Sequence, residues 1–310
     1  MRATSHCVHL VAWLGLLAIT AWCWTVIPPV TQGDLASLGI VVRSERVYRT
    51  AGGHRATLDV YFPPEAAGPD ASRWRRTAVL AIHGGSWSGG SKRLFRSDPA
   101  TSTILRLARA GLVVVAVDYR LAGPGSPSWP AALDDVREAV RWMRRNAPNL
   151  GIDPDRIVAL GQSAGAHLAT LLGTLPDPGA HDGVSSRVAA VLSFYGPSDL
   201  EALIRTRHLA QDPTRVFLGD TPASKASPIT HVTPDDAPML LFHGTDDLWV
   251  PIAQSEALAA ALQRQGVRHR LVRVDGARHG FEAIVRAPQE RDLLCEIFAF
   301  LKSVWNLGSE

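Results

Sequence analysis

Gly161-Gln162-Ser163-Ala164-Gly165 joins two segments of different character. Residues 156–160 form a short apolar run of strand type, and residues 164–172, rich in alanine and leucine, read as a helix. A strand that turns directly into a helix around a serine is the context a nucleophile elbow requires. Such a turn is tight enough that the residues flanking the serine must lack bulk, hence Gly161 and Gly165. Ser163 is then held at the top of a sheet, at the amino end of a helix. The competing reading is an ordinary glycine-rich strand-to-helix turn, so the pentapeptide takes its weight from its surroundings.

Working outward, residues 46–50 and 57–61 read as an antiparallel strand pair around Gly52-Gly53. Further strands are expected at 78–82, 112–117, 188–194, 239–243 and 269–274. Helices are expected at 102–110, 129–146, 252–265 and 289–305. The second is amphipathic through Leu133, Val136, Val140 and Met143, and Pro148 and Gly151 stop it. From Ala78 onward strands alternate with helices. The expected fold class is therefore α/β, a mainly parallel central sheet flanked by helices. The continuous apolar runs are those of strands covered on both faces. Residues 195–238 carry no clear strand and are read as a small cap or pocket wall. The expected organisation is an N-terminal segment at 1–27, a linker at 28–45 and one catalytic-type domain at 46–305.

Ligands of such sheets bind at the carboxyl ends of the strands, so partners of Ser163 are expected in the loops there. A serine hydroxyl is a poor nucleophile without a base. His279, in Gly276-Ala277-Arg278-His279-Gly280-Phe281, is the last of 11 histidines and the one between the last strand and the last helix. His269 opens a strand and His167 lies one turn into the helix after Ser163, so both read as structural. His83 and His243 each precede a glycine at a strand end and read as loop-fixing hydrogen bonders. An acid that orients the base should lie between serine and histidine in the chain. Asp246 and Asp247, in His243-Gly244-Thr245-Asp246-Asp247, both qualify, and spacing does not choose between them. Backbone N–H donors for a developing oxyanion are expected from Ala164 and from the loop His83-Gly84-Gly85-Ser86-Trp87. Trp87, Tyr195, Trp249 and Phe281 flank these loops, either lining a pocket or packing.

Composition excludes several other classes. The chain has 310 residues, 46% hydrophobic and 20% charged, with a formal net charge of +3. That is globular composition, and one domain of this length holds a sizeable core. The basic clusters Arg73-Trp74-Arg75-Arg76 and Arg141-Trp142-Met143-Arg144-Arg145 read as solvated surface. No basic stripe or binding fold points to nucleic acid. The cysteines Cys7, Cys23 and Cys295 show no metal-site or disulfide-framework spacing. Residues 7–27 are uncharged and apolar, long enough to span a bilayer, with Trp22 and Trp24 at one end. They read as a membrane anchor or a signal peptide, and either reading makes the domain an exported one, with membrane association if the segment is kept.

Together, HGGSW (83–87), DYR (118–120), PAALDDV (130–136), GQSAGAHLA (161–169), YGPSDL (195–200), ASPITHV (226–232), HGTDDLWVP (243–251) and GARHGF (276–281) resemble the α/β-hydrolase superfamily. Within it they resemble the small carboxylesterase group related to hormone-sensitive lipase and to bacterial feruloyl-esterase-like proteins, over residues 46–305. The resemblance implies a Ser163-His279-Asp247 triad, the acid being the aspartate four residues after His243. It implies oxyanion donors at Gly85, Ser86 and Ala164, with Ser86 standing where the family often has a third glycine. The implied activity is hydrolysis of small-molecule esters by acyl transfer, without metal or organic cofactor. The short cap leads to an expectation of small or short-acyl substrates. HGG followed by an aromatic, with SAGAHLA, also resembles kynurenine formamidase, which makes an arylformamidase the alternative. A peptidase lacks room here for the extra domain such enzymes often carry, and a non-catalytic binding module sits poorly with three filled triad positions.

Overall fold

The computed structural model describes residues 35, 37–65, 71–74, 76–96, 102–177, 179, 183–207, 212–285 and 290–307. The apolar segment at 7–27 and the readings attached to it lie outside these residues. No helix among the described residues is long and apolar enough to cross a membrane.

The described elements open with β1 (Val41–Ala51) and β2 (His54–Phe62), joined through Gly52-Gly53. A short α1 (Ala71–Trp74) leads to β3 (Ala78–Ile82). There follow α2 (Thr103–Arg109), β4 (Val113–Val117), α3 (Ala131–Arg145), the single turn α4 (Ala147–Leu150), β5 (Ile157–Gln162), α5 (Ala164–Thr174) and β6 (Ala190–Phe194). Two short helices, α6 (Leu200–Arg207) and α7 (Pro213–Leu218), separate β6 from β7 (Met239–Gly244). The chain ends with α8 (Ala253–Arg264), β8 (His269–Val274), a small β9 (Ile284–Val285)/β10 (Arg291–Asp292) pair and α9 (Leu294–Val304). Cys295 lies in α9; Cys7 and Cys23 lie outside the described residues.

Among the described residues eight strands form one sheet in the order β1-β2-β4-β3-β5-β6-β7-β8. β1 to β2 and β2 to β4 are antiparallel, and every other pairing is parallel. β3, β4, β5, β6 and β7 are buried along both faces. Alternate residues feed two cores. Leu80, Ile82, Val115 and Ala159 meet Val136 of α3 and Leu168 of α5 on one side. Val79, Ala81, Val114 and Leu160 meet Leu105 of α2 and Ile297 of α9 on the other. Burying each such side chain contributes about 1.5–3 kcal/mol, which is why these runs carry no polar alternation. The expected α/β architecture is therefore observed.

Two boundaries differ: the helix expected at 289–305 begins at Leu294, after the strand Arg291–Asp292, and the first strand starts early. β1 begins at Val41, inside the stretch expected to be linker. It is an edge strand, largely exposed, and its pairing with β2 is interrupted between Arg43 and Arg46. Glu45 there has φ 56°. An exposed edge with a bulge keeps no period-2 apolar pattern, so the sequence reads as irregular.

Register brings the chemistry-bearing loops together. Ile82 pairs with Gly161, so the loop after β3 emerges beside the turn after β5. Gln162 pairs with Phe194, Phe194 with Phe242, and Gly244 with Val274. The carboxyl ends of β3, β5, β6, β7 and β8 thus open on one edge.

Candidate active site

Ser163 occupies the turn between β5 and α5 with φ 52° and ψ −118°. A non-glycine residue there is strained by about 1–3 kcal/mol, and such strain persists only where neighbours hold it. The Ser163 N–H donates to the Phe194 carbonyl at 2.9 Å. A Cβ at Gly161 would fall 2.2 Å from the Gly165 carbonyl oxygen, and one at Gly165 would fall 2.1 Å from that of Ile82. Both glycines are therefore required for close backbone approach, as the sequence implied.

His279 lies in the turn between β8 and β9. Its Nε2 is 2.9 Å from Ser163 Oγ and its Nδ1 is 2.7 Å from Asp247 Oδ2. Asp246 is exposed, and its side chain takes a hydrogen bond from Thr245 rather than from His279. Of the two aspartates left open by spacing, Asp247 is the one in contact. Its side chain is fully buried. Its Oδ1 accepts from the N–H groups of Trp249 and Val250, both at 2.9 Å. Burial alone would push this carboxyl up. The bonds from His243, His279 and the Val250 N–H outweigh burial and hold it well below the usual carboxylate range. His243 also bonds Ser255 Oγ at 2.6 Å and the Val250 carbonyl at 2.7 Å, fixing the acid's loop as expected.

The loop after β3 lies against the elbow. A Cβ on Gly84 would come within 3.0 Å of the Gln162 carbonyl and 3.3 Å of Ser163 Cβ. Three successive residues have positive φ: Gly85 at 121°, Ser86 at 54° and Trp87 at 59°. The Gly85 carbonyl accepts from the N–H groups of Ser88 and Gly89. Among the described residues no acceptor takes the N–H of Gly85 or Ser86. Ala164 opens α5, where the first amides lack intrahelical partners. His83 is buried, its Nδ1 2.7 Å from the Gly84 carbonyl and its ring stacked on Tyr119.

The flanking aromatics divide. Trp87 is buried and does not line an open pocket. Its indole N–H donates to His167 Nδ1 at 3.2 Å, and His167 Nε2 lies 2.7 Å from the Ala226 carbonyl. Burial pushes the His167 imidazole down to about 4, against the pull of the Ala226 bond. Trp87 also stacks on Phe217 of α7, with ring centroids 4.7 Å apart. The segment between β6 and β7 is thereby tied to the loop after β3. Tyr195 is buried with its ring 4.6 Å from that of His279, and Phe281 packs on Tyr195 at 4.9 Å. Trp249 is 63% exposed and Leu248 89% exposed, both beside Asp247. The indole-to-imidazole link went unread in the sequence, where His167 stood only as a structural residue. Among the described residues no group of three or more His, Cys, Asp or Glu side chains forms a metal-binding cluster.

The model of the BD-FAE family matches residues 58–262, two-thirds of the chain and all of the sheet's central strands. The chain belongs to the BD-FAE family. Solved structures similar to this chain include native esterase 2 of Thermogutta terrifontis, 30% identical with a TM-score of 0.67, covering 90% of this chain and 97% of that one. The same esterase phosphorylated by paraoxon is 29% identical with a TM-score of 0.65, covering 88% and 96%. These neighbours place this BD-FAE chain among the α/β-hydrolases. Esterase LipQ of Mycobacterium tuberculosis is 34% identical over 229 residues, 69% of this chain and 51% of LipQ. Probable isoprenylcysteine alpha-carbonyl methylesterase ICMEL1 of Arabidopsis thaliana is 28% identical, covering 89% of this chain and 60% of its own length. The chain spans about half the length of the first curated relatives it matches.

Proposed function

We propose that this BD-FAE protein is a serine carboxylesterase that hydrolyses small or short-acyl esters. The observation that carries the reading is the continuous hydrogen-bonded line Ser163–His279–Asp247, at 2.9 and 2.7 Å, on a strained elbow. In the cycle, Ser163 Oγ attacks the ester carbonyl while His279 Nε2 takes its proton. Asp247, ionised across the working range, holds Nδ1–H and stabilises the imidazolium. The N–H groups of Gly85, Ser86 and Ala164 receive the oxyanion. His279 then protonates the leaving alcohol, and water, activated by the same imidazole, releases the acid. None of these steps calls on a metal or an organic cofactor. The named relatives support ester rather than amide hydrolysis, so the arylformamidase alternative gains nothing from them.

The short segment between β6 and β7, pinned through Phe217 and Ala226, supports the preference for small acyl groups. Hydrolysis of p-nitrophenyl acetate and butyrate beside a long-chain ester tests this, and faster turnover of the long chain overturns it. We infer further that residues 7–27 direct the domain to export, as an anchor or a cleaved signal. Fractionation of cells expressing the full chain tests that, and a cytosolic, uncleaved protein overturns it.

A further inference from the structure

The loop that carries His279 is gripped at both ends by neighbours of its own partners. At the near end, the Asp246 N–H donates to the Ala277 carbonyl at 3.1 Å. A Cβ on Gly244 would fall 2.1 Å from that same carbonyl. This end is therefore seated on the strand end that presents Asp247. At the far end stands Glu282. Its Oε1 accepts from Gln162 Nε2 at 2.8 Å. Gln162 is the last residue of β5 and immediately precedes Ser163. Glu282 Oε2 accepts from the N–H of Thr103 at 3.0 Å and from Thr103 Oγ1 at 2.5 Å. Thr103 is buried at the start of α2, and its Oγ1 accepts in turn from the Ala283 N–H at 2.9 Å. One carboxylate thus joins the histidine loop, the residue before the nucleophile and a helix of the opposite layer.

We propose that Glu282 is a positioning residue for the same reaction, a clamp that sets the approach of His279 Nε2 to Ser163 Oγ. The inference rests on the acyl-transfer reading above. The geometry gives it a specific form. Ala277 ties the loop to the acid's side and Glu282 ties it to the nucleophile's side, with His279 between the two anchors. Losing the second anchor leaves the Asp247 bond in place and frees the distance to Ser163. Misplacement by about 1 Å at a reacting pair costs on the order of 10²-fold in rate. The loss belongs in kcat, because Glu282 acts through His279 and not through the substrate.

Charge and hydrogen bonding separate cleanly here. In Glu282→Gln the side-chain carbonyl can accept from Thr103, and its NH2 can donate to Gln162 once that amide turns over. The clamp survives without the charge. The experiment measures kcat and KM for p-nitrophenyl butyrate in the full chain, with melting temperature recorded alongside. The variants are Glu282→Ala, Glu282→Gln, Gln162→Ala, the Gln162→Ala/Glu282→Ala double and Ser163→Ala. The expected result is a kcat loss of about 10²-fold in Glu282→Ala with KM within about threefold, and recovery to within about threefold of the parent in Glu282→Gln. The double variant should be no worse than Glu282→Ala. Unchanged kcat in Glu282→Ala, a loss confined to KM, or Glu282→Gln as impaired as Glu282→Ala each overturns the clamp. Should Glu282→Ala not fold, Gln162→Ala decides: a kcat loss at unchanged KM supports the clamp and parental kcat overturns it. Full activity in Ser163→Ala overturns the acyl-transfer reading instead, so the two failures are distinguishable.

Discussion

His279 keeps 21% of its side chain exposed, whereas His167, one turn into the helix that follows Ser163, has none. Both imidazoles have partners on both nitrogens. His279 faces a carboxylate and a hydroxyl. His167 faces an indole N–H and a backbone carbonyl. The first pair sets a hydroxyl against one nitrogen and a buried carboxylate against the other. The second fixes one tautomer, with Nδ1 accepting and Nε2–H donating, and burial keeps that ring neutral. Under the proposed mechanism, proximity to Ser163 does not make an imidazole the base; the donor or acceptor nature of its partners does.

The largest expected effect separates the two rings by activity. His279→Ala should lower kcat for p-nitrophenyl butyrate by at least about 10⁴-fold. His167→Gln, which can keep one acceptor and one donor, should stay within about tenfold. Comparable losses in steady-state kinetics would erase the distinction. The next effect separates the two aspartates. Asp247→Asn should drop kcat by about 10⁴-fold, since an amide favours the wrong tautomer of its partner. Asp246→Asn, being exposed and turned away, should leave kcat within about twofold. A reversed order would move the acid to Asp246.

The smallest effect is one of stability against pH. The His167 imidazole is pushed down to about 4 in the folded state from an ordinary 6.5. Between these values the unfolded chain binds more protons, so stability contributed by the neutral ring falls as pH drops through that window. The parent should lose melting temperature from pH 6.5 to 4 more steeply than His167→Gln. Parallel curves in a thermal melt series would show that His167 is not the titrating group.

Much of this was legible in the sequence because the signals were local. The strands expected at 78–82 and 269–274 match β3 and β8, and GQSAG could be placed on a strand-turn-helix from its flanks. Asp247 was not decidable from spacing, since the choice depends on which carboxylate is turned under His279. The start of β1 escaped because an exposed, bulged edge has no apolar rhythm. The Trp87–His167 and Gln162–Glu282 bonds join residues 80 and 120 positions apart. No periodicity encodes such pairs; they exist only once the parallel register brings those strand ends together. Trp87 shows the same limit, since its buried ring is held by His167 and Phe217, both distant in the chain.

The most direct test of the central claim is covalent. The full chain is treated with paraoxon, released p-nitrophenol is counted, and the modified residue is located by peptide mass spectrometry. The account predicts one equivalent released, the phosphoryl adduct on Ser163, and no adduct or release from Ser163→Ala. Stoichiometric labelling elsewhere, or labelling that persists in Ser163→Ala, would contradict it.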